Sequence, residues 1–259
     1  MIAMKRRDFL RLGASGMVIA ALPLTGCVSA GPSLVERGPG ALAIADDGTR
    51  YEVVPERHHL VITRPGGSAR RVGQLGRAAG QLNYPVAVAM VGGLAHVVEV
   101  GNHRVQAFDR DGRSQAILAA GELLYPSGIT ARGSRLFVDD TGHGEVVELA
   151  PDGGVVRRFG QGAVMAPRGL APLEDHLLVA DVGRRQVVEL RDNGSIVRTF
   201  DGDWVLPYAV ATDGDLVFVA DRARPELAVF DRGGRRIDTL VLGDAASYVI
   251  LAGDELFVG

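Results

Sequence analysis

The sequence predicts an all-β propeller of six blades, each a four-stranded antiparallel sheet of about 40 residues, with the last blade incomplete. Three observations carry this. A proline opening an apolar stretch recurs at Pro85, Pro126, Pro167 and Pro207, at steps of 41, 41 and 40 residues. An acidic residue that closes a β-branched run (Glu99, Asp140, Asp181, Asp221) and a turn glycine (Gly112, Gly153, Gly194, Gly234) repeat at the same steps. Between these columns, short runs alternate Val, Ile, Leu and Phe with polar residues, and no stretch after residue 26 sustains a helical period. A lone sheet of this kind exposes two apolar faces, so the blades must stack face to face in a ring.

The chain begins with a segment that stands apart from the ring. Lys5-Arg6-Arg7-Asp8-Phe9-Leu10-Arg11 is a charged start, and an apolar stretch from Leu12 to Leu24 leads into Leu24-Thr25-Gly26-Cys27. That stretch is short of the roughly 20 residues that span a bilayer as a helix, so residues 1–26 read as a cleaved export signal. Arg6-Arg7, a spacer and Phe9-Leu10 resemble a twin-arginine signal, and the end resembles a bacterial lipobox. The resemblance implies lipid attachment at Cys27, the only cysteine, and an extracytoplasmic, membrane-anchored protein facing the periplasm or exterior. Val28, where an acidic residue favours inner-membrane retention, implies the outer membrane in a Gram-negative host. Residues 27–40 form the linker, and within it Ser33–Arg37 is a candidate closing strand.

The ring occupies residues 41–259. Ala41–Tyr84 aligns as a first unit, since Ala43-Ile44-Ala45-Asp46-Asp47-Gly48 parallels Val210-Ala211-Thr212-Asp213-Gly214. Complete units follow at 85–125, 126–166, 167–206 and 207–246. The first of these reads as strands Pro85–Met90, Leu94–Val100, Arg104–Asp109 and Arg113–Ala119. Asp111-Gly112, Asp152-Gly153 and Asn193-Gly194 are hairpin signals, because these residues tolerate positive φ. Ser247–Gly259 holds only two strands, Tyr248–Leu251 and Glu255–Val258. A five-bladed alternative would complete that sheet with His59–Thr63 and Ala69–Val72. Six is expected, because the first unit accounts for its own four strands.

Gly80-Gln81-Leu82-Asn83-Tyr84-Pro85 and Val97-Val98-Glu99-Val100-Gly101-Asn102-His103-Arg104-Val105-Gln106-Ala107-Phe108-Asp109 resemble the NHL-repeat propellers. Later units drift from that motif, with Asp140-Thr141-Gly142-His143 and Asp181-Val182-Gly183-Arg184 in place of the Asn-His-Arg. The resemblance implies a binding or scaffold propeller. Among related propellers are metal-dependent lactonases and amidating lyases, which hold one ion in the channel through His, Asn or carboxylates. That enzyme class is the alternative reading.

Composition narrows the function classes. The signal carries Lys5, Arg6, Arg7 and Arg11 against Asp8, a net +3, so the whole-chain charge of −3 becomes −6 on the mature chain. A nucleic-acid partner is not expected at that charge. No Gly-x-Ser-x-Gly, phosphate loop or dinucleotide fingerprint is present. No pair among His58, His59, His96, His103, His143 and His176 has helical metal spacing, and no metal or cofactor is expected.

Columns repeated in every blade solve a folding problem, so function is sought where matching positions differ. The residue after the proline begins the innermost strand near the channel mouth, and reads Val86, Ser127, Arg168, Tyr208 and, in the partial unit, Tyr248. The turn after the second strand reaches the same end and offers Asn102, His103, His143, Arg184, Arg185, Arg222 and Arg224. Arg168, Tyr208, Tyr248, His103, His143 and Arg184 are the expected ligand-binding residues, suited to a small anion or a partner protein's acidic loop through charge-assisted hydrogen bonds.

Overall fold

The computed structural model describes residues 2–5, 41–252 and 255–259. Within them lie 23 strands in six sheets. Blade 1 comprises β2 (Ala41–Ile44), β3 (Arg50–Val54), β4 (His59–Thr63) and β5 (Ala69–Val72). Blade 2 comprises β6 (Pro85–Val91), β7 (Leu94–Glu99), β8 (Arg104–Phe108) and β9 (Ser114–Leu118). Blade 3 follows with β10 (Pro126–Arg132), β11 (Arg135–Asp140), β12 (Glu145–Leu149) and β13 (Val155–Phe159), and blade 4 with β14 (Pro167–Leu173), β15 (His176–Asp181), β16 (Gln186–Arg191) and β17 (Ile196–Phe200). Blade 5 is β18 (Pro207–Thr212), β19 (Leu216–Asp221), β20 (Glu226–Asp231) and β21 (Arg236–Val241). Each of these sheets runs in chain order, strand against antiparallel strand.

Blade 6 closes the ring from both ends of the chain. β22 (Val249–Ala252) pairs with β23 (Glu255–Val258), and β23 pairs in turn with β1 (Ile2–Lys5), Ile2 opposite Val258 and Lys5 opposite Glu255. Ser33–Arg37, expected as the closing strand, lies outside the described residues, and the edge of β23 that it would have used is taken by Ile2–Lys5. Cys27 also lies outside them. The innermost strands β2, β6, β10, β14, β18 and β22 contact one another in sequence, and β22 returns to β2. The ring therefore has six blades, not five.

The apolar faces pack between blades. Phe137, Phe159, Leu177, Val179 and Val188 bury the interface of blades 3 and 4, while Val98, Val105, Leu136 and Val138 bury that of blades 2 and 3. Alternation along each second strand sends successive side chains to opposite neighbours, as with Phe137 and Val138.

The turn glycines serve this stacking as well as their hairpins. Gly112, Gly153, Gly194 and Gly234 all have φ between 72 and 88°. A Cβ on Gly153 would lie 2.1 Å from Leu118 Cδ2 of the preceding blade. Gly153→Ala should therefore lose about 2–4 kcal/mol, a left-handed backbone penalty plus overpacking, measured by urea denaturation.

Candidate functional site

The acidic column is structural. Glu99, Asp140, Asp181 and Asp221 are all buried. Each accepts backbone N–H bonds from the loop that leads into its own blade: Asn83 onto Glu99, Leu124 onto Asp140, Met165 and Ala166 onto Asp181, Val205 and Leu206 onto Asp221. Asp181 and Asp221 also cap the turn that follows them, through Gly183 N–H and Ala223 N–H. The loop leading into each of blades 2–5 is thus tied to one buried carboxylate at one end of that blade.

That anchoring fixes the start of each innermost strand. Each column proline sits opposite its acidic residue, and the ladder then slips: Pro85 to Ala87, Pro167 to Gly169 and Pro207 to Ala209 each step over one residue. Such a bulge re-aims the extra residue. The residues so displaced are Val86, Arg168 and Tyr208, and all three line a central cavity of about 780 Å³. Ser127, Tyr248, Arg57, Glu56 and Arg222 line it too.

Within this cavity Arg168 is half-buried and Arg222 is exposed, its guanidinium 4.8 Å from the ring centre of Tyr208. Neither arginine has an ion-pair partner among the described residues. Two unpaired guanidiniums in a concave site focus positive potential where a ligand would enter. Tyr248 is 4% exposed, its hydroxyl has no hydrogen-bond partner among the described residues, and burial pushes its pKa up to about 12. It packs with Leu42 and Phe257 at the seam of blades 1 and 6.

The remaining expected residues fall outside the cavity lining. His103 has a left-handed backbone, φ 53°, and its Nδ1 accepts the N–H of Tyr125 from the next blade at 3.1 Å, with the rings 4.8 Å apart. His58 and Tyr84 repeat the arrangement one blade earlier. His143 bonds Asp140 in its own blade at 2.8 Å. Arg184 is an exposed turn residue between β15 and β16. His103 and His143 thus bond to different neighbours.

Asp140, His143 and Glu145 bring three donor atoms within 4.8 Å of one another. Arg158 bonds both carboxylates, Gln161 bonds Glu145, and Leu124 N–H bonds Asp140. The cluster is an ion-pair network with its oxygens already partnered.

One residue of the site is absent from the sequence expectations. The position before the acidic column holds Val98, Ala180 and Ala220, each in an apolar interface between blades, but in blade 3 it holds Asp139. The ladder pair that corresponds to Ala87 and Val98 is missing there: Pro126 faces Asp140 and the next pair is Ile129 with Val138. Ser127 N–H, Gly128 N–H and the Ser127 hydroxyl donate instead to Asp139 Oδ1, at 2.7–2.8 Å. Asp139 Oδ2 has no partner, although the residue is 0% exposed. A Cβ at Gly128 would lie 2.2 Å from that oxygen, so only glycine fits this stretch of channel wall.

Desolvation raises the Asp139 pKa to about 6, against its hydrogen bonds and the nearby Arg168 guanidinium, which pull it down. A carboxyl raised in the folded state stabilises the protein in its protonated form, and that stability falls as pH rises from the ordinary carboxylate range through 6. Wild type should lose about 2 kcal/mol from this group between pH 4 and 7.5. In a comparison of denaturation curves at the two pH values, Asp139→Asn should lack that component.

Among solved structures, the chain is similar to a virginiamycin B lyase from Staphylococcus aureus, with 12% identity and a TM-score of 0.67 over 85% of this chain and 77% of that one. A streptogramin B lyase structure gives 12% identity and a TM-score of 0.67 over 84% and 78%. A chain of a nidogen/laminin complex gives 19% identity and a TM-score of 0.68 over 78% and 79%. At these identities the likeness is one of fold, and it places the chain among the β-propellers. The sequence matches no protein-family profile, and no curated protein sequence matches it significantly.

Proposed function

We propose that the protein is an extracytoplasmic, lipid-anchored binding propeller of the NHL-repeat type that engages an anionic ligand, small molecule or protein, at the channel mouth. The observation behind this reading is the pair of guanidiniums, Arg168 and Arg222, which have no ion-pair partner among the described residues, in a cavity of about 780 Å³ beside Tyr208. Blades 2–5 use the same carboxylate column to hold their loops, while the residue after the column proline differs from blade to blade. That is the pattern of a common scaffold with one variable surface. The nidogen/laminin structure is one in which a propeller takes part in a protein complex.

A metal-dependent lyase needs ligands in the channel. Among the described residues the cavity lining offers Glu56 and no histidine, cysteine or aspartate, a donor set that does not fit such an ion.

A thermal-shift series with sulfate, citrate and a hexaglutamate peptide tests the reading. Stabilisation by the anions that is lost in Arg168→Gln supports it, and a larger shift with the peptide favours a protein partner. Unchanged melting across the series would defeat it. For the anchor, Cys27→Ala should move the protein from the membrane pellet to the soluble fraction. Cleavage before Cys27 would also remove β1 and leave the edge of β23 to another segment, the part expected of Ser33–Arg37.

A further inference from the structure

We propose that the channel mouth takes up its anion together with a proton, and that Asp139, behind the wall at Gly128, is the group that receives it. The inference rests on the anion-binding reading above and adds how that binding is regulated.

The geometry of blade 3 is the starting point. Three other blades close this position with Val or Ala, which serve interblade packing without a charge. Asp139 instead interrupts the ladder and draws the N–H groups of Ser127 and Gly128 onto one oxygen. The other oxygen is buried and unpartnered, and a proton can sit there without displacing any existing hydrogen bond. A buried carboxyl with one oxygen unpartnered and its pKa raised, set against a cavity wall, marks a candidate functional group.

The surroundings couple it to Arg168. Side chains alternate along β11, so Asp139 lies on the face of Phe137, toward blade 4. Arg168 on β14 is the charged group acting on it from that side. On β10 its neighbours are Ser127 and Gly128, and on β12 Val146 lies opposite, all uncharged. Asp140 on its own strand turns the other way, to Leu124 and Arg158. With no anion bound, Arg168 favours the ionised form of Asp139. An anion on Arg168 offsets that positive charge, so Asp139 gains a proton from solvent as the anion binds. Linkage is reciprocal: protonating Asp139 must tighten the anion by the same factor. Burial already places the titration near neutrality, at about 6.

The test titrates the full chain with sulfate, which keeps its charge throughout the range, at about pH 5 and about pH 7.5, in two buffers of different ionisation heat. Sulfate should bind about five- to tenfold more tightly at the lower pH, with net proton uptake. Asp139→Asn should bind it with no pH dependence and no proton uptake, which also separates Asp139, behind the wall, from Glu56 in the cavity lining. In wild type, the carboxyl carbon-13 resonance of Asp139 should titrate at a higher pH with sulfate bound, a readout that does not depend on the variant folding. Sulfate binding with equal affinity at both pH values, or pH dependence retained in Asp139→Asn, overturns this proposal alone. No sulfate binding at either pH overturns it together with the anion reading.

Discussion

Asp181→Ala should lose about 3–5 kcal/mol of stability, the range for removing a buried, fully hydrogen-bonded charge. Its carboxylate accepts the N–H groups of Met165, Ala166 and Gly183 and the side-chain amide of Gln186, at 2.8–3.1 Å. Alanine leaves these donors without a partner, and an unpaired buried donor carries its whole desolvation cost. Equilibrium denaturation in urea measures the loss. Asp181→Asn keeps the shape and one acceptor oxygen, so it should lose clearly less. Equal losses from the two variants would mean that packing, not hydrogen bonding, gives this column its value.

Arg168→Gln should weaken binding of an anion at the channel mouth by about 10- to 100-fold, since a hydrogen bond to a charged group contributes about 1.5–3 kcal/mol. The bulge after Pro167 places Arg168 in the channel wall independently of its charge. Glutamine at that position should therefore leave folding intact while removing the guanidinium. Arg222→Gln should have a smaller effect, because Arg222 is exposed and its charge is better screened by solvent. The cavity field also predicts salt sensitivity, with affinity falling as ionic strength rises.

The ring was legible because repetition multiplies weak signals. A single Pro-Val-Ala-Val-Ala says little, but three columns at one period fix the phase of every strand. The expected strands Pro85–Met90 and Leu94–Val100 differ from β6 and β7 by one residue at their ends. The closing blade was less legible, since pairing between chain ends has no local signature. Ile2–Lys5 carries no strand signal that sets it apart from the charged segment it precedes.

The candidate site was legible in part, for the same reason. Position after the proline predicts Arg168 and Tyr208 at the cavity, because the repeat carries the bulge with it, and the matching position of the partial unit predicts Tyr248 there. The histidines were harder to place. His103 occupies the left-handed position before the third strand, where blade 3 has Gly144, so His143 belongs to the column of Asn102 and Arg184. Shared residue type hid a difference of one register position. Asp139 was hidden by its neighbour: next to Asp140 it looks like part of the acidic column. The usable signal was its contrast with Val98, Ala180 and Ala220.

The most direct measurement of the anion site is a calorimetric titration of sulfate at low ionic strength into the wild-type chain and into the Arg168→Gln, Arg222→Gln double variant. Saturable one-site binding to wild type, absent from a double variant that melts normally, is the predicted result. Identical titrations for the two proteins would contradict it.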